Sequence, residues 1–164
     1  MIIESYLCGF VPQKGIIIKM NHSKRTLGID LGDKRTGVAI SDPTRTLAGG
    51  LEVVESTGLK DCAKKVIDIV EKYEVRDIVL GYPINMNGTK GESALKTEKF
   101  KSLLELLGKE KGFGINVILF DERLSTSLAH VYMNETGIRG RDRKKKVDML
   151  SAQIILQNYI DGKR

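Results

Sequence analysis

Apolar and polar residues alternate over short spans in the first part of the chain and recur at a longer period further on. Leu27, Ile29 and Leu31 alternate with smaller or polar residues, as do Val38 and Ile40. Such period-two patterning predicts strands over residues 25–31, 36–41 and 50–56. The connections between them are short, which suggests an antiparallel meander. The period then changes. Leu59, Cys62, Ala63, Val66, Ile67, Val70 and Tyr73 fall on one face of a helix over 59–73. Residues 77–81 read as a short buried strand, and 82–92 as a polar loop containing Pro83, Gly88 and Gly91. Ala94, Leu95, Phe100, Leu103, Leu104 and Leu107 mark a second helix that stops before Gly112 and Gly114.

Residues 115–120 are apolar on both faces, so a buried strand is expected there, ending in Asp121-Glu122-Arg123. Leu124, Leu128, Val131 and Tyr132 predict a short helix with Ser125 or Thr126 as its cap. A basic connector is expected over 137–146, followed by a last helix over 146–160. That helix is apolar nearly all round, so it should lie buried against the sheet. Strands followed by alternating helices and strands predict the α/β class: one five-stranded mixed sheet with helices on both faces.

Residues 1–23 do not join this pattern. Ile2-Ile3 and Ile16-Ile17-Ile18 are apolar, but Gly9, Pro12 and Gly15 interrupt them. The stretch lacks the basic start and unbroken apolar segment of a secretory signal. It is expected to be an appendage, poorly ordered or loosely docked, with the domain proper over 24–164. A chain of 164 residues is long enough for one domain with a sizeable core. No apolar run approaches the roughly 18 residues that a membrane span needs. The two cysteines, Cys8 and Cys62, have no short spacing, which argues against a disulfide framework or a cysteine zinc site. A reducing, cytoplasmic compartment is the expectation.

The net charge of +6 favours an anionic partner such as nucleic acid, although many basic proteins bind none. Aromatics are scarce and tryptophan is absent, so contact with phosphates and shape fits better than stacking on aromatic platforms. Against this cationic background, carboxylates stand at the edges of apolar elements. Asp30 lies inside the run Leu27, Ile29, Leu31, where an ionised group is costly unless something positive meets it. Asp-x-Gly is also turn chemistry, but Gly32-Asp33 already supplies a turn. Asp121 and Glu122 close the fifth strand, and Asp148 opens the last helix.

All-oxygen ligand sets of this kind suit Mg²⁺ or Mn²⁺ rather than zinc. In phosphodiester hydrolysis such ions clamp the attacking and leaving oxygens. Taken singly, Asp121-Glu122 also reads as a strand-end turn and Asp148 as a helix-start carboxylate. Arg139, Arg141, Arg143, Lys144, Lys145 and Lys146 lie directly before Asp148, opposed only by Asp142. They read either as phosphate contacts or as a solvated loop. Arg35 and Arg123 read as phosphate contacts or as surface ion pairs.

Four motifs in order resemble the YqgF family of the ribonuclease H-like superfamily. They are Gly28-x-Asp30-x-Gly32-x-x-Arg35-x-Gly37; Gly81-x-Pro83 followed by Gly88; Asp121-Glu122-Arg123-Leu124-Ser125-Thr126; and Lys146-Val147-Asp148 followed by Ala152 and Ile155-Leu156. The resemblance covers about residues 24 to 161. It implies a ribonuclease H-like fold and a metal-dependent nuclease using Asp30, Asp121, Glu122 and Asp148. The activities it implies are 5′-end maturation of precursor 16S ribosomal RNA or Holliday-junction resolution. Better-understood nucleases of the superfamily carry an acid at the end of the fourth strand, where this chain has Gly81. The Asp121-Glu122 pair is expected to replace it from the neighbouring strand.

The expected partners are therefore structured RNA or branched DNA, bound by a monomer or, for paired junction cuts, a homodimer. A non-catalytic nucleic-acid-binding factor with the same fold is the alternative. Asp30-Leu31-Gly32 also resembles the first phosphate loop of actin-like and sugar-kinase ATPases. Those hold nucleotide between two such domains, and this chain supplies only one and has no P-loop.

Overall fold

In the computed structural model, which describes residues 25–112, 114–121 and 141–163, the chain runs β1 (Thr26–Asp30), β2 (Arg35–Ser41), β3 (Ala48–Glu55), α1 (Leu59–Lys72), β4 (Asp77–Tyr82), α2 (Glu92–Glu110), β5 (Asn116–Asp121) and α3 (Arg141–Asp161). The side chains of residues 141–144 lie outside the description. So do the expected appendage over 1–23 and the expected helix over 124–132. The strands form one mixed sheet in the order β3-β2-β1-β4-β5. β1, β2 and β3 are antiparallel neighbours, as their short connections require. β4 runs parallel to β1, and β5 parallel to β4, each reached through a helical crossover. The sheet is therefore the mixed one that the sequence pattern predicts.

Alternation along the strands makes the two sheet faces unlike. Leu27 and Ile29 of β1, Val38 of β2, and Ile78 and Leu80 of β4 point to one side. There they meet Val66, Ile67 and Val70 of α1 and Phe100 and Leu104 of α2, all buried. Each such side chain removed from water contributes about 1.5–3 kcal/mol before entropy is charged against it. The opposite face is floored with small residues: Gly28, Gly37, Ala39 and Ala48. α3 packs here through Ala152, Ile155, Leu156 and Ile160.

The small floor lets the α3 backbone come close. A methyl group added at Gly37 would lie 1.9 Å from the carbonyl oxygen of Asp148. One added at Gly28 would lie 2.6 Å from Cβ of Leu156 and 2.9 Å from the carbonyl oxygen of Ala152. Neither leaves room for a side chain. Gln153 and Gln157 tie α3 to the start of the outer strand β3. Nε2 of Gln153 donates to the Ala48 carbonyl at 3.0 Å, and Oε1 of Gln157 accepts the Ala48 N–H at 2.8 Å. These bonds satisfy backbone groups at a sheet edge.

Two expectations need correction. The stretch 137–146 is not all connector, because α3 already begins at Arg141. Lysine and arginine are good helix formers, and that propensity prevails over the repulsion of cations at the positive helix end. The strand expected over 115–120 is not buried on both sides. Among the described residues β5 is the outer strand, and only Val117 is fully buried on it.

The close seat of α3 yields a stability prediction. Gly37→Ala should cost about 1–3 kcal/mol or more in urea unfolding, because a packed backbone must move. Gly49→Ala, which meets nothing within 4 Å, should stay within about 0.5 kcal/mol of the parent. Equal stabilities for the two variants would contradict this account of the floor.

Candidate active site

Asp30 is the last residue of β1, directly opposite Gly37 of β2. Strand parity turns it to the α3 side, away from Ile29. Gly37 is also the residue over which the Asp148 carbonyl sits, so Asp148 comes to rest beside Asp30. One residue from each end of the domain is thus fixed at a single point by one backbone contact.

The electrostatics follow from that placement. Burial pushes the Asp30 carboxyl up to about 6, and the neighbouring negative charge of Asp148 adds to the effect. The Ser151 hydroxyl donates to Asp30 and partly opposes the shift. Asp148 has its own cation: Nε of Arg35 donates to its Oδ2 at 2.8 Å. Arg35 is the first residue of β2, so the turn after Asp30 returns the chain with a guanidinium aimed at Asp148. Of the two readings of Arg35, the ion pair is present, and it lies within the site rather than on a remote surface. Its side chain is 36% exposed, which leaves its remaining N–H groups within reach of an external anion.

The other carboxylates are placed differently. Asp121 ends β5 at the same sheet edge, paired with Tyr82 of β4. The Tyr82 hydroxyl donates to Glu98 of α2 at 2.5 Å, so this register position faces α2. Asp121 therefore shares the edge with Asp30 but sits at a position belonging to the other face. Glu122, Arg123 and Arg139 lie outside the described residues. Among the described residues, no three acidic, histidine or cysteine side chains form a metal-binding group. Two carboxylates and a hydroxyl nevertheless suit Mg²⁺, which is commonly held by one or two carboxylates together with water and substrate phosphate.

Cationic residues border the pair. Backbone places Arg141, Arg143 and Lys144 in the first turns of α3. Lys145 and Lys146 follow, both exposed, and Nζ of Lys145 lies 3.3 Å from Oε1 of Glu55, the residue opposite Arg35. Beyond the loop after Asp30, Nζ of Lys96 donates to the Gly32 carbonyl at 3.0 Å and to Oδ1 of Asp33 at 2.8 Å. This fastens the β1–β2 turn to α2. Ser151 and Lys96 are not among the residues that the sequence pattern singles out. Ser151 was accessible in principle, since three residues after Asp148 is the same helix face. Lys96 carried no signal, because its partner is more than sixty residues away.

A family model described as RuvX, Holliday junction resolvase, matches residues 24–162. A protein of Ruminiclostridium cellulolyticum named "Putative pre-16S rRNA nuclease" is 49% identical over 138 residues, 84% of this chain and 94% of that one. Proteins of the same name from Agathobacter rectalis and Clostridium tetani are 43% and 42% identical over 140 and 138 residues, each covering 84% of this chain, and 94% and 96% of their own lengths. Among solved structures, Thermus thermophilus RuvC in complex with a Holliday junction substrate superposes with a TM-score of 0.52 at 14% identity, over 85% of this chain and 94% of that one. The yeast mitochondrial Holliday junction resolvase Ydc2 gives 0.54 at 16% identity, over 84% and 78%. At such identities the likeness concerns the fold, which is ribonuclease H-like.

The raised Asp30 gives a pH prediction for the metal-free protein. The folded protein holds this proton up to about pH 6, whereas the unfolded chain releases it near 3.8. Stability from this group is therefore complete below about pH 4 and lost as the pH rises through 6. In EDTA, Asp30→Asn should be more stable than the parent by on the order of 2 kcal/mol at pH 8, with the gap closing towards pH 4. A parent at least as stable as the variant at pH 8 would contradict the burial of the charge.

Proposed function

The chain belongs to the RuvX family, the one that the YqgF resemblance indicated, and from that premise we propose that it is a metal-dependent nuclease hydrolysing phosphodiester bonds at the 5′ end of precursor 16S ribosomal RNA. The observation that carries this reading is the forced pairing of Asp30 with Asp148. Two carboxylates from distant parts of the chain, one of them largely buried, are held together at a cost to the fold. Sites of chemistry are where such costs are retained.

Asp30 and Asp148 would hold Mg²⁺ or Mn²⁺, with Asp121 or Glu122 completing the donor set. Asp121 shares its register position with Tyr82, which faces α2. The ion, when bound, would neutralise charge on the scissile phosphate and lower the cost of attack by water. The chain's own residues then have distinct tasks. Ser151 orients the Asp30 carboxylate, and Arg35 orients that of Asp148. The Arg35 guanidinium also offers its free N–H groups to a phosphate oxygen, in the fork geometry that suits phosphate.

Arg141, Arg143, Lys144, Lys145 and Lys146 crowd the positive end of α3. A bound polyanion would relieve their mutual repulsion and meet the positive end of the helix dipole. Phosphate contacts of this kind set the position of the backbone without reading sequence. Arg123 and Arg139 are assigned to the same backbone contact. The reading places the protein where ribosomal RNA is made; no described helix is long and apolar enough to cross a membrane.

The description of the family model supports a second reading, resolution of branched DNA. Resolution needs two cuts and hence two sites, so it calls for a dimer, whereas trimming one RNA end does not. Cleavage of a precursor 16S transcript and of a four-way DNA junction, each with Mg²⁺ and with EDTA, tests the proposal. The RNA should be cut only with the metal. Asp30→Asn and Asp148→Asn should each lower the rate by about 10³-fold or more while keeping affinity for the RNA within a few-fold. Junction cutting alone would favour the second reading. Salt-sensitive binding with no cleavage of either would leave a binding factor.

A further inference from the structure

The loop after β4 carries a feature that the acidic site does not explain. β1 and β4 are parallel neighbours, so this loop leaves the sheet at the edge where Asp30 lies. It folds into a small hairpin closed by an Ile84–Lys90 bridge. The Asn85 N–H donates to the Thr89 carbonyl at 3.1 Å, and the Gly88 N–H to the Asn85 carbonyl at 2.8 Å. Nδ2 of Asn85 donates to Oγ1 of Thr89 at 2.9 Å, and that hydroxyl donates to Oδ1 of Asn87 at 2.7 Å. Gly88 makes the turn with a φ of +79°, a conformation costly for other residues. The base of the hairpin is fastened to α2. Nζ of Lys90 donates to Oε1 of Glu98 at 2.7 Å, and the Tyr82 hydroxyl donates to the same oxygen.

This hydrogen-bonded hairpin presents one large apolar side chain outward. Met86 is 90% exposed. The next most exposed large apolar residue among those described, Leu47, is 66% exposed and lies at the opposite end of the sheet, beside the start of β3. A braced loop with an unbranched apolar tip at the sheet edge that carries Asp30 fits one chemistry in particular. Apolar side chains, methionine among them, enter between stacked bases and pry them apart. The shortage of aromatic residues and the absence of tryptophan leave few other side chains for that task.

We propose that Met86 is a wedge that unstacks a base of the bound RNA beside the scissile phosphate, making it a positioning and specificity residue for cleavage where paired RNA meets single strand. The inference rests on the nuclease reading for its substrate, but its test does not depend on turnover. The probes are RNA hairpins with a 5′ single-stranded extension, carrying 2-aminopurine at successive positions across the boundary. They are bound by the full chain in EDTA, with affinity followed separately by anisotropy.

The parent protein should raise the fluorescence several-fold, on the order of 3–5, at one or two adjacent positions. Met86→Ala should lose most of that rise while its affinity changes by less than about three-fold, because phosphate contacts carry the binding. Met86→Leu, which keeps an apolar tip, should restore it. With Mg²⁺, Met86→Ala should cut the boundary substrate about ten-fold more slowly yet cut unpaired RNA of the same sequence within about two-fold. A full rise in Met86→Ala, or no rise at any position with the parent bound, would overturn the wedge. Unstacking by a parent that never cleaves would sink the nuclease reading and leave the wedge standing. Failure of the parent to bind the RNA would sink both.

Discussion

The structure turns on the contact between the α3 backbone and two glycines in the sheet. Gly28 and Gly37 sit on neighbouring strands where any side chain would collide with α3. Their absence of side chains sets the depth of the helix, and the depth sets where Asp148 falls. Everything acidic in the site is downstream of that. Asp30 needs only to end β1 on the correct face, and Asp148 only to lie two turns into α3, where the helix presses on Gly37. The large residues on the other face, packed against α1 and α2, hold the sheet rigid enough for the contact to specify a position.

The resulting pair is held under tension. Burial and like charge both resist ionisation of Asp30. Arg35 offsets the charge of Asp148, and Ser151 donates to Asp30, but neither removes the conflict between the two carboxylates. A second conflict lies close by in chain order, where cations fill the first turns of α3 against the helix dipole. The two conflicts have opposite sign. A divalent cation between the carboxylates and a phosphate chain across the basic turns would relieve both together, which is how the proposed substrate complex accounts for features that weaken the free protein.

Much of this was legible beforehand, and the reason differs by element. Asp30 declared itself because a carboxylate among Leu27, Ile29 and Leu31 breaks a period-two pattern. The small face of the sheet could be read from the same period, as Gly28 alternates with Leu27 and Ile29, and Gly37 and Ala39 with Val38. The start of α3 was not legible, since a cluster of like charges and a helix N-terminus argue against each other, and helix propensity decided the matter. The exposure of β5 was hidden because composition does not say which strand lies outermost. The register that pairs Asp121 with Tyr82 rather than setting it beside Asp30 is likewise a property of strand pairing. Lys96 escaped because its partners are distant in sequence, whereas Ser151 follows Asp148 at helical spacing and only the seat of α3 on β1 brings it to Asp30.

Diffraction from crystals grown with Mn²⁺, recorded at the manganese absorption edge, tests the central relation most directly. The account predicts an anomalous peak bounded by carboxylate oxygens of both Asp30 and Asp148, with the α3 backbone still resting on Gly37. A peak bound to neither residue, or the two carboxylates turned away from each other around an empty space, would contradict it.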